Sequence, residues 1–127
     1  MYMRSRNKYH ARKTEANGII FDSRVESMFY SHIAARLKPG MKLLVHQSYE
    51  VIPKQVINGK TYRKAVYTPD FVTMLNGKIV DVYDVKGRPT IKPDAVLRMK
   101  LFMQQYKAPV TICRYNYRTK QFEEKQL

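Results

Sequence analysis

Two short stretches carry the residue types that can do chemistry. Tyr67-Thr68-Pro69-Asp70-Phe71-Val72 offers an acid at Asp70. The run from Ile79 to Gly87 offers a second at Asp84, with a lysine two residues on at Lys86. Asn76-Gly77 between them is a strong hairpin signal, so both acids belong to neighbouring strands. Side chains alternate along a strand, which turns Asp84 and Lys86 to one face. Two carboxylates and an ammonium in this arrangement suit a hard divalent cation, which takes oxygen ligands and keeps several waters. The chain has 10 acidic residues against 24 basic ones, so acids on apolar strands need a reason.

Phosphodiester hydrolysis is one chemistry that would need them. The phosphodiester anion repels nucleophiles, and a metal ion neutralises the charge and lowers the pKa of the attacking water. Asp70 and Asp84 are the expected ligands, with the backbone carbonyl of Val85 as a third. Mg²⁺ is the expected ion, with Mn²⁺ as a substitute. Lys86 is placed to orient or deprotonate the metal-bound water, or to stabilise the pentavalent transition state. In-line attack leaves a 5′-phosphate and a 3′-hydroxyl.

Register decides whether the acids meet. A plain two-residue Asn76-Gly77 loop pairs Asp70 with Tyr83 and turns it away from Asp84. A three-residue loop, Leu75-Asn76-Gly77, pairs Asp70 with Val82 and brings the acids to one face. A cooperating pair therefore requires that loop or another one-residue bulge. Asp81 falls on the opposite face by alternation and is left out.

The elements that must position these residues can be read around them. Asp22-Ser23-Arg24-Val25-Glu26 opens a helix with apolar residues at Val25, Phe29, Ile33 and Leu37, and Pro39-Gly40 ends it. Ser23-x-x-Glu26 is a capping box, so Glu26 reads as a cap or, on a helix packed against the sheet, as a further metal-site acid. Leu43 to Ile52 alternates as a half-buried strand, with Gln47 alone on its apolar face and His46 on the wet one. Gln47 either bonds a neighbouring backbone group or lines the site. A second turn signal, Asn58-Gly59, completes an antiparallel meander over residues 43–56, 61–74 and 78–86. Pro93 suits the first turn of a second helix, whose stripe is Val96, Met99, Phe102, Met103 and Tyr106. Val110 to Tyr115 is a buried-type strand, which the crossover helix returns parallel to the meander. The expected fold is α/β: helix, three-stranded antiparallel meander, helix, strand, in a mixed sheet flanked by helices.

Composition narrows the partner. A chain of 127 residues with a formal charge of +14 predicts a polyanion, and nucleic acid is the commonest one. Residues 1–13 hold Arg4, Arg6, Lys8, Arg12 and Lys13 with no acid, and form a basic arm ahead of a single domain over residues 14–127. The residues before 14 read equally as a frayed, solvated tail or as a binding arm; as an arm, they and Arg88, in the turn after Lys86, are the expected phosphate contacts. No run is long and apolar enough to span a bilayer, and the first residues lack the apolar core of a signal peptide. The single cysteine, Cys113, fits a reducing compartment and reads as core. No membrane and no small-molecule cofactor is expected.

Glu26, Pro69-Asp70 and Asp84-x-Lys86, in that order, resemble the PD-(D/E)XK nuclease superfamily of restriction-endonuclease-like folds. With Phe21-Asp22-Ser23, His46-Gln47-Ser48-Tyr49 and Tyr67-x-Pro69-Asp70-Phe71, the set looks like a small phage-encoded endonuclease family related to Holliday-junction resolvases. The resemblance runs over most of the chain. It implies a restriction-endonuclease-like core and metal-dependent DNA cleavage in phage recombination or replication. It also implies a homodimer in the cytoplasm of a bacterial host, Glu26 as a catalytic residue, and Lys100 as a helix lysine near phosphate. A domain this small has no room for a separate sequence-reading module, which favours branched DNA as substrate. The rival readings are a non-catalytic basic module for single strands or RNA, and a sequence-specific nuclease of the same fold. Whichever holds, DNA affinity measured by fluorescence anisotropy should fall steeply, about tenfold or more, between about 50 and 200 mM salt. Affinity indifferent to salt would contradict the polyanion reading.

Overall fold

Turn chemistry and one crossover helix set the architecture. The computed structural model describes residues 14–16, 19–21, 23–87 and 89–127. They divide into two compact units, with the boundary between Arg36 and Leu37.

The first unit is a small antiparallel pair, β1 (Thr14–Ala16) and β2 (Ile19–Phe21), followed by α1 (Arg24–Ala34). Ser23 is the N-cap: its hydroxyl accepts the Glu26 backbone N–H at 3.1 Å, which satisfies one of the helix's orphan donors. Glu26, Phe29 and Ile33 share the buried face at helical spacing. Phe21 is fully buried, and its ring meets that of Tyr30 at 5.3 Å. The helix ends at Ala34, before the Pro39-Gly40 stop read from the sequence.

The second unit holds a mixed five-stranded sheet that runs from edge to edge through Gln121–Gln126, Val110–Asn116, Lys78–Val85, Phe71–Leu75 and Met41–Val45. β3 (Met41–Val45), β8 (Phe71–Leu75) and β9 (Lys78–Val85) are the antiparallel meander. After α2 (Pro93–Tyr106) the chain returns as β10 (Val110–Asn116), parallel to β9, and β11 (Gln121–Gln126) adds an antiparallel edge. Pro93 stands in the first turn of α2, and Lys107, left-handed at φ 54°, closes it.

The meander differs from the expected one in its strand lengths. The strands read as 43–56 and 61–74 are each broken. His46 adopts φ 53°, which ends β3 and redirects the chain. The chain then builds a separate ribbon: β4 (Tyr49–Ile52) pairs with β7 (Ala65–Tyr67), and beyond it β5 (Gln55–Ile57) pairs with β6 (Lys60–Tyr62). Thr68-Pro69-Asp70 leads from the ribbon into β8. Proline offers no N–H to a ladder, so a break there is expected from its chemistry.

The ribbon and α2 form the core with the sheet. Val51 and Tyr67 from the ribbon, Val72 and Val82 from the sheet, and Met99 and Phe102 from α2 belong to one buried cluster, joined by Val110 and Ile112. Phe102 is its aromatic centre, with ring contacts to Tyr49, Tyr67 and Tyr106 at 5.2, 5.3 and 4.9 Å. The Arg98 guanidinium donates to the Val66 carbonyl at 2.7 Å and the Tyr106 hydroxyl to the Glu50 carbonyl at 3.0 Å. Both bonds hold the ribbon to the helix. Cys113 is buried, as its strand pattern implies. No described helix is long and apolar enough to cross a membrane. Because Phe102 is fully buried amid three aromatic partners, Phe102→Ala should cost about 3–5 kcal/mol in urea unfolding. A loss below about 1 kcal/mol would place the core elsewhere.

Candidate metal centre

The site begins with an irregularity in β9. The Asn76-Gly77 loop has two residues, both at positive φ, and Leu75 pairs with Lys78. Regular pairing from that loop would separate the acids. The register instead shifts between Thr73 and Met74: Met74 pairs with Ile79, whereas Thr73 pairs with Asp81. Val80 is the extra residue of a β-bulge. Beyond it Val72 faces Val82 and Phe71 faces Tyr83. Continued by one residue, the register sets Asp70 opposite Asp84, on one face. The alternative to the three-residue loop, a one-residue bulge, is thus the arrangement present.

Contacts with Val85 and His46 help to fix Asp70. Its Oδ2 accepts the Val85 backbone N–H at 2.7 Å, its carbonyl accepts the His46 N–H at 3.1 Å, and its Oδ1 lies 3.8 Å from His46 Nε2. A strand residue turns its N–H and C=O to the same neighbour, so the Val85 carbonyl also lies on the Asp70 side of β9.

Asp84 is 5% exposed. A buried carboxylate needs donors, and two answer it. The Tyr67 hydroxyl donates to Oδ2 at 2.7 Å, and Lys86 Nζ stands 3.0 Å from Oδ1. Burial first, and then the adjacent Asp84 charge and hydrogen bond, push the Tyr67 phenol far above its ordinary value of 10.0. Tyr67 therefore remains a proton donor throughout the working pH range. Asp81 points away from this face and pairs with the Thr73 hydroxyl at 3.3 Å.

Several sequence-derived placements change. Gln47, read as facing the apolar side and there either bonding a backbone group or lining the site, is exposed beyond the end of β3. His46, read as lying on the wet face, is instead the residue beside Asp70. The cause is the left-handed backbone at His46, which shifts the alternation by breaking the strand. Lys100 is exposed on α2. Arg4, Arg6, Lys8, Arg12, Lys13 and Arg88 lie outside the described residues. Glu26 belongs to the first unit, where it is 5% exposed on the apolar face of α1. Tyr67 was part of the motif but carried no signal of its hydrogen bond to Asp84; its only cue is its place three residues before Asp70.

The donors assembled in the second unit are two carboxylates and a backbone carbonyl, the set that Mg²⁺ and Mn²⁺ prefer. By donor chemistry these residues fit a hard cation. Fold and site together define a basic α/β protein with a mixed sheet and a carboxylate pair beside a lysine. The chain belongs to the family described as "Protein of unknown function (DUF1064)", whose model matches residues 6–124. No curated protein and no solved structure matches it.

Tyr67 gives a test of the site's geometry. A phenol raised above its unfolded value adds stability below pH 10.0, and that stability is lost as pH rises beyond it. In metal-free buffer, the folded protein and Tyr67→Phe should titrate the same number of phenols in an ultraviolet alkaline titration. One additional phenol titrating near pH 10.0 in the unsubstituted protein would show Tyr67 to be exposed.

Proposed function

We propose that the chain is a metal-dependent DNA endonuclease that leaves a 5′-phosphate. Its substrate is branched DNA of the kind a junction resolvase cuts, in phage recombination or replication, and it acts as a homodimer. One observation carries the reading: the Val80 bulge sets Asp70 opposite Asp84, with Lys86 Nζ 3.0 Å from Asp84 Oδ1. Acids on regular strands have no need of that bulge, and a protein that only holds phosphate gains nothing from a paired negative charge.

Asp70, Asp84 and the Val85 carbonyl would hold the ion, and the family resemblance adds Glu26 to them. A bound divalent cation supplies Lewis acidity toward the phosphodiester and lowers the pKa of water. The chain's own groups do the rest. Tyr67 holds the Asp84 carboxylate in one orientation through a proton it does not lose. The Val85 N–H and His46 do the same for Asp70. Lys86 sets a fixed cation where charge develops on the phosphate. A two-fold dimer would present two such sites to opposing strands of a symmetric junction.

The purified protein should cut four-way or flapped DNA with Mg²⁺ or Mn²⁺ and not with EDTA. Asp70→Asn and Asp84→Asn should abolish cutting yet keep or tighten DNA binding, since each removes a negative charge. Lys86→Ala should lower the cutting rate by about 10²–10³, and Glu26→Gln should reduce it sharply. Binding without cleavage of any linear, nicked, flapped or four-way DNA in the presence of metal would replace the nuclease reading by the non-catalytic module.

A further inference from the structure

The ribbon that carries Tyr67 extends into a hairpin, β5–β6, whose described residues are all exposed. Nothing in the carboxylate site requires it. Asn58 and Gly59, at φ 49° and 76°, make a two-residue turn between Ile57 and Lys60, so the β5–β6 hairpin is short and regularly paired.

Its composition is unusual for an exposed ribbon. Val56, Ile57 and Tyr62 are 64, 53 and 45% exposed. Cross-strand pairing joins Ile57 to Lys60 and Gln55 to Tyr62, so Ile57, Lys60 and Tyr62 occupy one face. Lys60 Nζ lies 5.4 Å from the centre of the Tyr62 ring, which leaves a cation and an aromatic plane side by side. Lys54, Arg63 and Lys64 flank the hairpin and are exposed, and no acid occurs from Val51 to Pro69. An apolar and aromatic face on a segment that carries cations and no acid is complementary to bases framed by phosphates. An unstacked base offers a flat apolar face to Tyr62 and Ile57, and its backbone offers charge to the lysines and Arg63. A closed duplex offers only the charge.

We propose that the β5–β6 hairpin is a DNA-binding element that packs its Ile57–Tyr62 face against unpaired bases at a branch, while Lys54, Lys60, Arg63 and Lys64 hold the adjoining phosphates. Tyr62 is five residues from Tyr67, a reach of at most about 17 Å. The hairpin thus selects DNA with open bases within a few nucleotides of the carboxylate pair. Binding at the hairpin stands on these observations alone; its role in choosing where DNA is cut rests on the nuclease reading.

Fluorescence anisotropy in EDTA, where no cleavage occurs, separates the two. The probes are a forked DNA with unpaired arms and a blunt duplex of equal length. Ile57→Ser/Tyr62→Ser should weaken fork binding about tenfold or more and leave duplex binding within about twofold, so the duplex reports that the variant is folded. Tyr62→Phe, which keeps the ring, should bind the fork as the unsubstituted protein does. Replacing all four cations by glutamine should weaken both probes. Unchanged fork affinity in the double variant, or an equal loss on both probes, overturns the proposal. So does hairpin-dependent sedimentation with phosphatidylserine vesicles by a protein that ignores the fork. Fork selectivity that depends on Ile57 and Tyr62, without Mg²⁺-dependent cutting, upholds the hairpin and removes the nuclease reading.

Discussion

The second unit turns on one buried charge. Asp84 is nearly sealed from water, and a carboxylate in that position is tolerated only when donors meet its oxygens. One donor, Lys86, comes from the same chain segment, two residues on. The other, Tyr67, belongs to the β4–β7 ribbon, which is not a strand of the main sheet. The 2.7 Å hydrogen bond between Tyr67 and Asp84 is therefore a polar tie between ribbon and sheet, buried among apolar side chains. It works because Tyr67 is kept protonated by its own burial. An ionised phenol there would face the Asp84 carboxylate as a second negative charge.

Packing around that tie is consistent with it. Phe102 of α2 touches the Tyr67 ring on its apolar side, and Arg98 and Tyr106 bond the ribbon's backbone. The ribbon is held from below by α2 and from the side by Asp84, while its β5–β6 end stands free of the core. Asp70 receives comparable treatment from the Val85 N–H and His46. Both carboxylates are thus held in orientation by partners on the same chain. In a chain of charge +14, this pair is a local reversal of sign within a positive field. Under the proposed function, that field would draw phosphate in and a metal would let it approach the acids.

Much of this was legible in the residues. The helical stripe through Met99 and Phe102, the Pro93 start, the parallel return to β10 and the Asn-Gly turns all arise from local chemistry. So did the condition on register, because alternation is strict and a loop of known length leaves one residue to account for. What the sequence did not carry was the identity of that residue: Val80 has no glycine or turn signal to mark a bulge. Nor did it mark His46. Histidine enters the left-handed region more readily than most non-glycine residues, but only the surrounding fold selects it. That one dihedral separated β3 from the ribbon, moved His46 beside Asp70 and left Gln47 in solvent. The exposed hairpin was legible as a turn, yet alternation alone could not tell a solvent-facing ribbon from a strand of the sheet.

The central claim is that Asp70 and Asp84 act on one divalent cation. Its most direct test is Mn²⁺ binding to the intact protein, read by electron paramagnetic resonance of the free ion, with Asp70→Asn and Asp84→Asn compared. The account predicts a Mn²⁺ site in the unsubstituted protein that either substitution alone eliminates. Two variants that each bind Mn²⁺ as the unsubstituted protein does would contradict it.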